Sequence, residues 1–137
     1  MEAFVSPAFT FPAALRLTHD LQYQAVHAAR MRKNVGPLSI GSLPNRLPHW
    51  RLGLAVSRKC GNAVTRNLVK RRIRESFRLA QHDLPRLEDG TGLDIVVSPR
   101  AHHAMTLGEH QILLKEVAAQ LIHAWNQRLL KRKDAAP

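Results

Sequence analysis

Residues 58 to 78 read Arg58-Lys59-Cys60-Gly61-Asn62-Ala63-Val64-Thr65-Arg66-Asn67-Leu68-Val69-Lys70-Arg71-Arg72-Ile73-Arg74-Glu75-Ser76-Phe77-Arg78. Eight basic side chains face one acid, Glu75, so this stretch holds +7 of the chain's formal +11. Residues 1–57 carry +4, and residues 79–137 sum to zero. The charge is therefore local. Gly61-Asn62 is a turn-and-cap pair, because Gly tolerates a tight reversal and an Asn side chain accepts from a free first-turn N–H. No Pro or Gly follows before Ala80, and Val69, Ile73, Phe77 and Ala80 recur at helical spacing. The pattern predicts a helix over 62–80.

With Ile73 at zero on a helical wheel, Val69, Phe77 and Ala80 lie within about 40° of it. Lys70, Arg74, Asn67, Arg78 and Arg71 follow in a band from about 60° to 160°. One face is set for a core and its neighbour for anions. Arginine forks and an amide that both donates and accepts suit phosphate oxygens and ribose hydroxyls. A merely solvated helix face would interleave acids for i,i+4 support, and only Glu75 is present. The stripe is read as the electrostatic footprint of a nucleic-acid binder.

The whole chain sets further bounds. Its 137 residues suit one domain with one core, and a hydrophobic content of 45% excludes a wholly disordered basic tail. The single cysteine, Cys60, excludes a disulfide framework or a cysteine-rich zinc module. No apolar run approaches the length of a membrane span, and Met1 to Pro12 lacks the basic start of an export signal, so a cytoplasmic protein is expected. No helix-turn-helix frames the basic helix, which argues against DNA. Eight histidines, notably His102, His103 and His110 beside Glu109, show no metal-ligand spacing. Asp83, Glu88, Asp89 and Asp94 do not form an evident magnesium cluster, and no glycine-rich phosphate loop occurs. Neither a catalytic residue nor a protein-bound metal is expected.

Along the chain, residues 1–15 read as an arm with Phe4, Phe9 and Phe11, residues 16–130 as the domain, and residues 131–137 as a basic tail. Thr18 and Asp20 predict the start of a helix over 19–31, with Leu21, Ala25, Ala28 and Ala29 available for burial. Alternation predicts strands over 35–43 and 51–57, the second with the small residues Gly53, Ala55 and Ser57 on one face. Ile95-Val96-Val97 predicts an interior strand over 93–98. Thr106-x-x-Glu109 opens a last helix whose apolar face runs from Leu113 to Trp125. Tyr23 suits either stacking against an unstacked base or a half-buried place in the core, and the residues alone leave both open.

The run Val56-Ser57-Arg58-Lys59-Cys60-Gly61-Asn62-Ala63-Val64-Thr65-Arg66-Asn67-Leu68-Val69-Lys70-Arg71-Arg72-Ile73-Arg74-Glu75 resembles the defining motif of the bacterial ribonuclease P protein subunit. Residues 16–26 are similar to that family's first helix. One position departs: Leu68 stands where the family's Arg-Asn-Arg triplet has its second arginine, and the wheel puts it away from the basic band. The resemblance implies an α+β, two-layer fold like the second domain of a small-subunit ribosomal protein. It would have order α-β-β-β-α-β-α, about four strands in a mixed sheet, and a left-handed βαβ crossover carrying the basic helix. It implies a subunit that binds ribonuclease P RNA, one protein per RNA, and assists endonucleolytic removal of the 5′ leader of precursor tRNA. Hydrolysis would lie with the RNA and with magnesium held mainly by RNA and substrate. Carried onto this chain, the RNA contacts are Arg58, Lys59, Asn62, Arg66, Asn67, Lys70, Arg71 and Arg74. The leader cleft takes Tyr23, His27, Ser57 and Lys59. Composition alone also admits a small ribosomal or other structural RNA-binding protein with no role in cleavage.

Overall fold

A computed structural model describes residues 13–100 and 106–135. The elements are α1 (Asp20–Ala28), β1 (Met31–Val35), β2 (Leu38–Pro44), β3 (Arg51–Leu54), α2 (Ala63–Ala80), β4 (Leu93–Pro99) and α3 (Leu107–Ala135). They make one four-stranded sheet in the order β1-β2-β4-β3. β1–β2 and β2–β4 are antiparallel, and β3–β4 is parallel with α2 as the crossover. This is the α+β architecture and element order expected. β4 is an interior strand, which explains why Leu93, Ile95, Val96 and Val97 are all buried.

Alternation along the strands splits the sheet's two faces. Ile40, Leu52, Ile95 and Val97 join Val69, Ile73 and Phe77 of α2 and Leu114, Val117, Leu121 and Trp125 of α3 in the main core. Both predicted helical faces are thus the buried ones. The opposite sheet face meets α1 in a small second cluster of Leu17, Val26 and Val96, with Tyr23 and Leu43 packed against it. The indole N–H of Trp125 donates to Ser42 Oγ at 2.9 Å, so the largest core side chain leaves no buried donor unmet.

Three local expectations are corrected. The first helix ends at Ala28, not near 31, because Arg30 adopts φ +52° and the chain turns into β1. Arg128 of α3 donates to Ala29 O at 2.7 Å, satisfying a terminal carbonyl from almost a hundred residues away. Leu21, expected to be buried, is 75% exposed, since α1 turns Val26 inward instead. β1 fills the gap between the helix expected to reach 31 and the strand expected from 35, and takes Val35 from that strand; Gly36, at φ +55°, supplies the two-residue reversal that pairs Val35 with Leu38. At the edges of the domain, Leu15 is buried in the core, and α3 continues through the basic residues to Ala135.

Candidate RNA interface

α2 starts where the sequence says it should. Asn62 Oδ1 accepts from the Thr65 N–H at 2.9 Å, one of the four orphan donors of a helix start. Just before it, Arg58–Cys60 forms a 3-10 turn. Cys60 Sγ donates to Pro99 O at 3.1 Å, which ties this basic turn to the end of β4. Arg58, Lys59 and Ser57 are all exposed there.

Two recesses open on this helix. The first, of about 350 Å³, is lined by Asn67, Arg71, Arg74, Glu75 and Arg78. It lies on the band the wheel predicted. Within it Arg78 Nε donates to Glu75 Oε2 at 2.9 Å. That hydrogen bond with Arg78, and then the guanidinium charge, hold the Glu75 carboxyl below its ordinary range. Arg78 is thus largely neutralised inside the protein, and the recess keeps its net positive field through Arg71 and Arg74.

The second recess, of about 130 Å³, is assembled from four segments: Arg16 and Leu17, Tyr23 of α1, Leu52 and Leu54 of β3, and Lys70 and Arg74 of α2. It runs along the outer edge of β3. That edge is not left open. Leu17 N donates to Leu52 O at 2.9 Å, and Arg16 pairs with Leu52 as an isolated parallel bridge. The Tyr23 hydroxyl accepts from Leu54 N at 3.3 Å and donates to Leu17 O at 3.4 Å. An aromatic ring thus sits among Arg16, Lys70 and Arg74.

Of the residues singled out in the sequence, the structure brings Asn67, Arg71 and Arg74 together in one recess and Tyr23, Lys70 and Arg74 in the other. Arg74 lines both. Arg66 is half-buried, and its Nε finds no hydrogen-bond partner among the described residues. Asn62 has its side-chain oxygen committed to the cap. His27, Ser57, Arg58, Lys59 and Asn62 line neither recess, and His27 is exposed on α1. Arg16 and Leu17 were missed as cleft residues. Nothing local marks a short segment that will add itself to a strand edge thirty-five residues further on.

Three of the acids noted in the sequence have partners in the fold: Asp83 lies 3.5 Å from Lys115, Asp89 accepts from Thr91, and Asp94 is the most tightly held. Asp94 is buried and takes a bidentate pair from Arg51, both contacts at 2.7 Å, with a third bond from Asn45 Nδ2 at 3.0 Å. Among the described residues no three His, Cys, Asp or Glu side chains group to hold a metal ion. His110 is buried with Nδ1 at 3.0 Å from Thr106 O, while His102 and His103 lie outside the described residues. No described helix is long and apolar enough to cross a membrane.

A family profile for ribonuclease P matches residues 11–125. The chain belongs to the bacterial ribonuclease P protein family. Solved ribonuclease P proteins share its fold. The protein from Staphylococcus aureus is 30% identical with a TM-score of 0.61, over 75% of this chain and 91% of that one. The protein from Thermotoga maritima is 25% identical with a TM-score of 0.66, over 77% of this chain and 96% of that one. Family membership makes the chain a protein subunit of the ribonuclease P complex, with ribonuclease P RNA as its partner and tRNA processing as its setting.

Proposed function

We propose that this subunit binds ribonuclease P RNA through the basic face of α2 and holds the single-stranded 5′ leader of precursor tRNA in the recess beside Tyr23. The observation that carries the reading is that recess: an aromatic ring bounded by Arg16, Lys70 and Arg74. A ring is a platform for an unstacked base of any sequence, and the surrounding cations meet the phosphates on either side of it. The adjoining recess around Asn67 and Arg71 supplies contacts to an RNA backbone. Arg58 and Lys59 extend the positive surface from the turn preceding α2, and Arg66 lies on that helix's first turns. His27, Ser57 and Lys59 would contact more distant leader nucleotides. One protein would serve one RNA, in the cytoplasm where precursor tRNA is made.

The protein's part is positioning. Leader contacts add affinity for precursor over mature tRNA and hold the scissile phosphate in register. Magnesium for the hydrolysis would be held mainly by the RNA and the substrate, and this chain's residues would bind and orient the leader beside it. The test is multiple-turnover cleavage of a 5′-extended precursor tRNA at low magnesium and physiological salt. RNA alone, RNA with protein, and protein alone are compared. Efficient cleavage at the mature 5′ end by the combination alone is expected. A protein that neither binds the RNA nor alters its rate overturns the proposal.

A further inference from the structure

Gly53 stands in a strand at a φ that is not positive, so nothing in its backbone requires glycine. Glycine in a strand has a cost, since it packs nothing and loses more entropy on folding. What it provides is space. A Cβ at this position would lie 2.8 Å from Tyr23 Cε1, 2.9 Å from Cζ and 2.9 Å from the hydroxyl oxygen. Those distances are far inside van der Waals contact. The ring therefore rests directly on the backbone of β3, and its hydroxyl bridges Leu54 N and Leu17 O. With the hydroxyl occupied by backbone, the surface left for a ligand is the ring itself.

We infer that Gly53 is a positioning residue for leader binding: by lacking a side chain it seats the Tyr23 ring against β3 at the edge of the cleft. The inference rests on the leader-cleft reading above. The three atoms nearest an added methyl all belong to the end of the Tyr23 side chain rather than to backbone, so the fold accommodates Gly53→Ala by swinging the ring away. The ring then loses both hydroxyl contacts and its fixed place in the cleft.

The experiment measures binding of precursor and mature tRNA to the reconstituted holoenzyme under non-cleaving conditions, for wild type, Tyr23→Ala, Gly53→Ala and the double variant. Discrimination is the ratio of the two Kd values. Tyr23→Ala should lower it roughly 5- to 150-fold, the range for one base stacked on an aromatic. Gly53→Ala should lower it by a similar factor while affinity for ribonuclease P RNA stays at wild type. In the Tyr23→Ala background Gly53→Ala should change nothing further, because it acts only through the ring. Wild-type discrimination in Gly53→Ala, or an added loss in the double variant, overturns the inference. If Tyr23→Ala itself leaves discrimination intact, the leader-cleft reading fails first. Should Gly53→Ala fail to fold, the wild-type protein still decides. Tyr23 is the only tyrosine, so its ring resonances are unambiguous. Their nuclear Overhauser contact with the Gly53 α-protons should persist when a five-nucleotide single-stranded RNA of leader sequence binds. Its loss on binding overturns the inference.

Discussion

The two recesses on α2 differ in how they are made. The one around Asn67 and Arg71 is built by a single helix, so helical spacing alone brings its residues together. The one around Tyr23 is built by four segments, and it exists only once α1, β3 and residues 16–17 have met. The first is a patch of charge with one internal counter-ion. The second is a shaped cleft with a fixed ring. On the proposed reading, affinity for RNA in general and preference for one RNA over another would be carried by these two different kinds of construction.

The largest expected effect removes both at once. Phe77 is fully buried beneath the basic band, and Phe77→Ala should cost about 3–5 kcal/mol in chemical denaturation. If the cost is that large but RNA binding survives, the recesses do not depend on how α2 is seated. Next comes the cleft alone. Tyr23→Ala should cost about 1–3 kcal/mol in precursor binding while mature tRNA is unaffected. An equal loss for both would erase the distinction between the recesses. Arg71→Ala should do the opposite, weakening RNA of every sequence and reducing the slope of log affinity against log salt by about one.

Asn62→Ala probes the seat of both recesses more gently. Loss of the cap to Thr65 N–H should cost about 0.5–2 kcal/mol of stability. A larger loss of RNA affinity than of stability would show that Asn62 also touches RNA. The smallest effect concerns Glu75. Its carboxyl lies below an ordinary value near 4.5 in the folded protein, so its pairing with Arg78 stabilises the fold above that pH and is lost as pH falls through the lowered value. Both side chains are only partly buried and reach solvent, and the contribution is small. Glu75→Gln should flatten that acid limb in a pH series of thermal unfolding. It should also raise affinity for RNA slightly by freeing Arg78. A fall in affinity instead would make the carboxylate part of the RNA-facing surface.

Legibility followed the range of the forces involved. The buried face of α2, its cap at Asn62, the basic band and the interior strand β4 were all readable, because each is a pattern over neighbouring residues. The Thr106 cap was readable too: its hydroxyl accepts from Glu109 N–H at 3.2 Å. Where partners were distant, reading failed. The carbonyl at the end of α1 is met by Arg128 from α3, residues 32–34 were assigned to no strand because their pairing is with β2, and Leu21 was placed on the wrong side.

The sequence by itself determined that one helix would bury Val69, Ile73 and Phe77 and turn arginines outward, because periodicity and the shortage of acids are local properties. It also carried the twenty-residue motif that pointed to the family. Only the tertiary structure decided what stands beside that helix. Residues 16–17 close the edge of β3, Arg74 comes to line two recesses, and a glycine in one strand makes room for a ring on another element. Each of these is a contact between segments far apart in the chain, set by which surfaces pack and which backbone groups still need partners once they have.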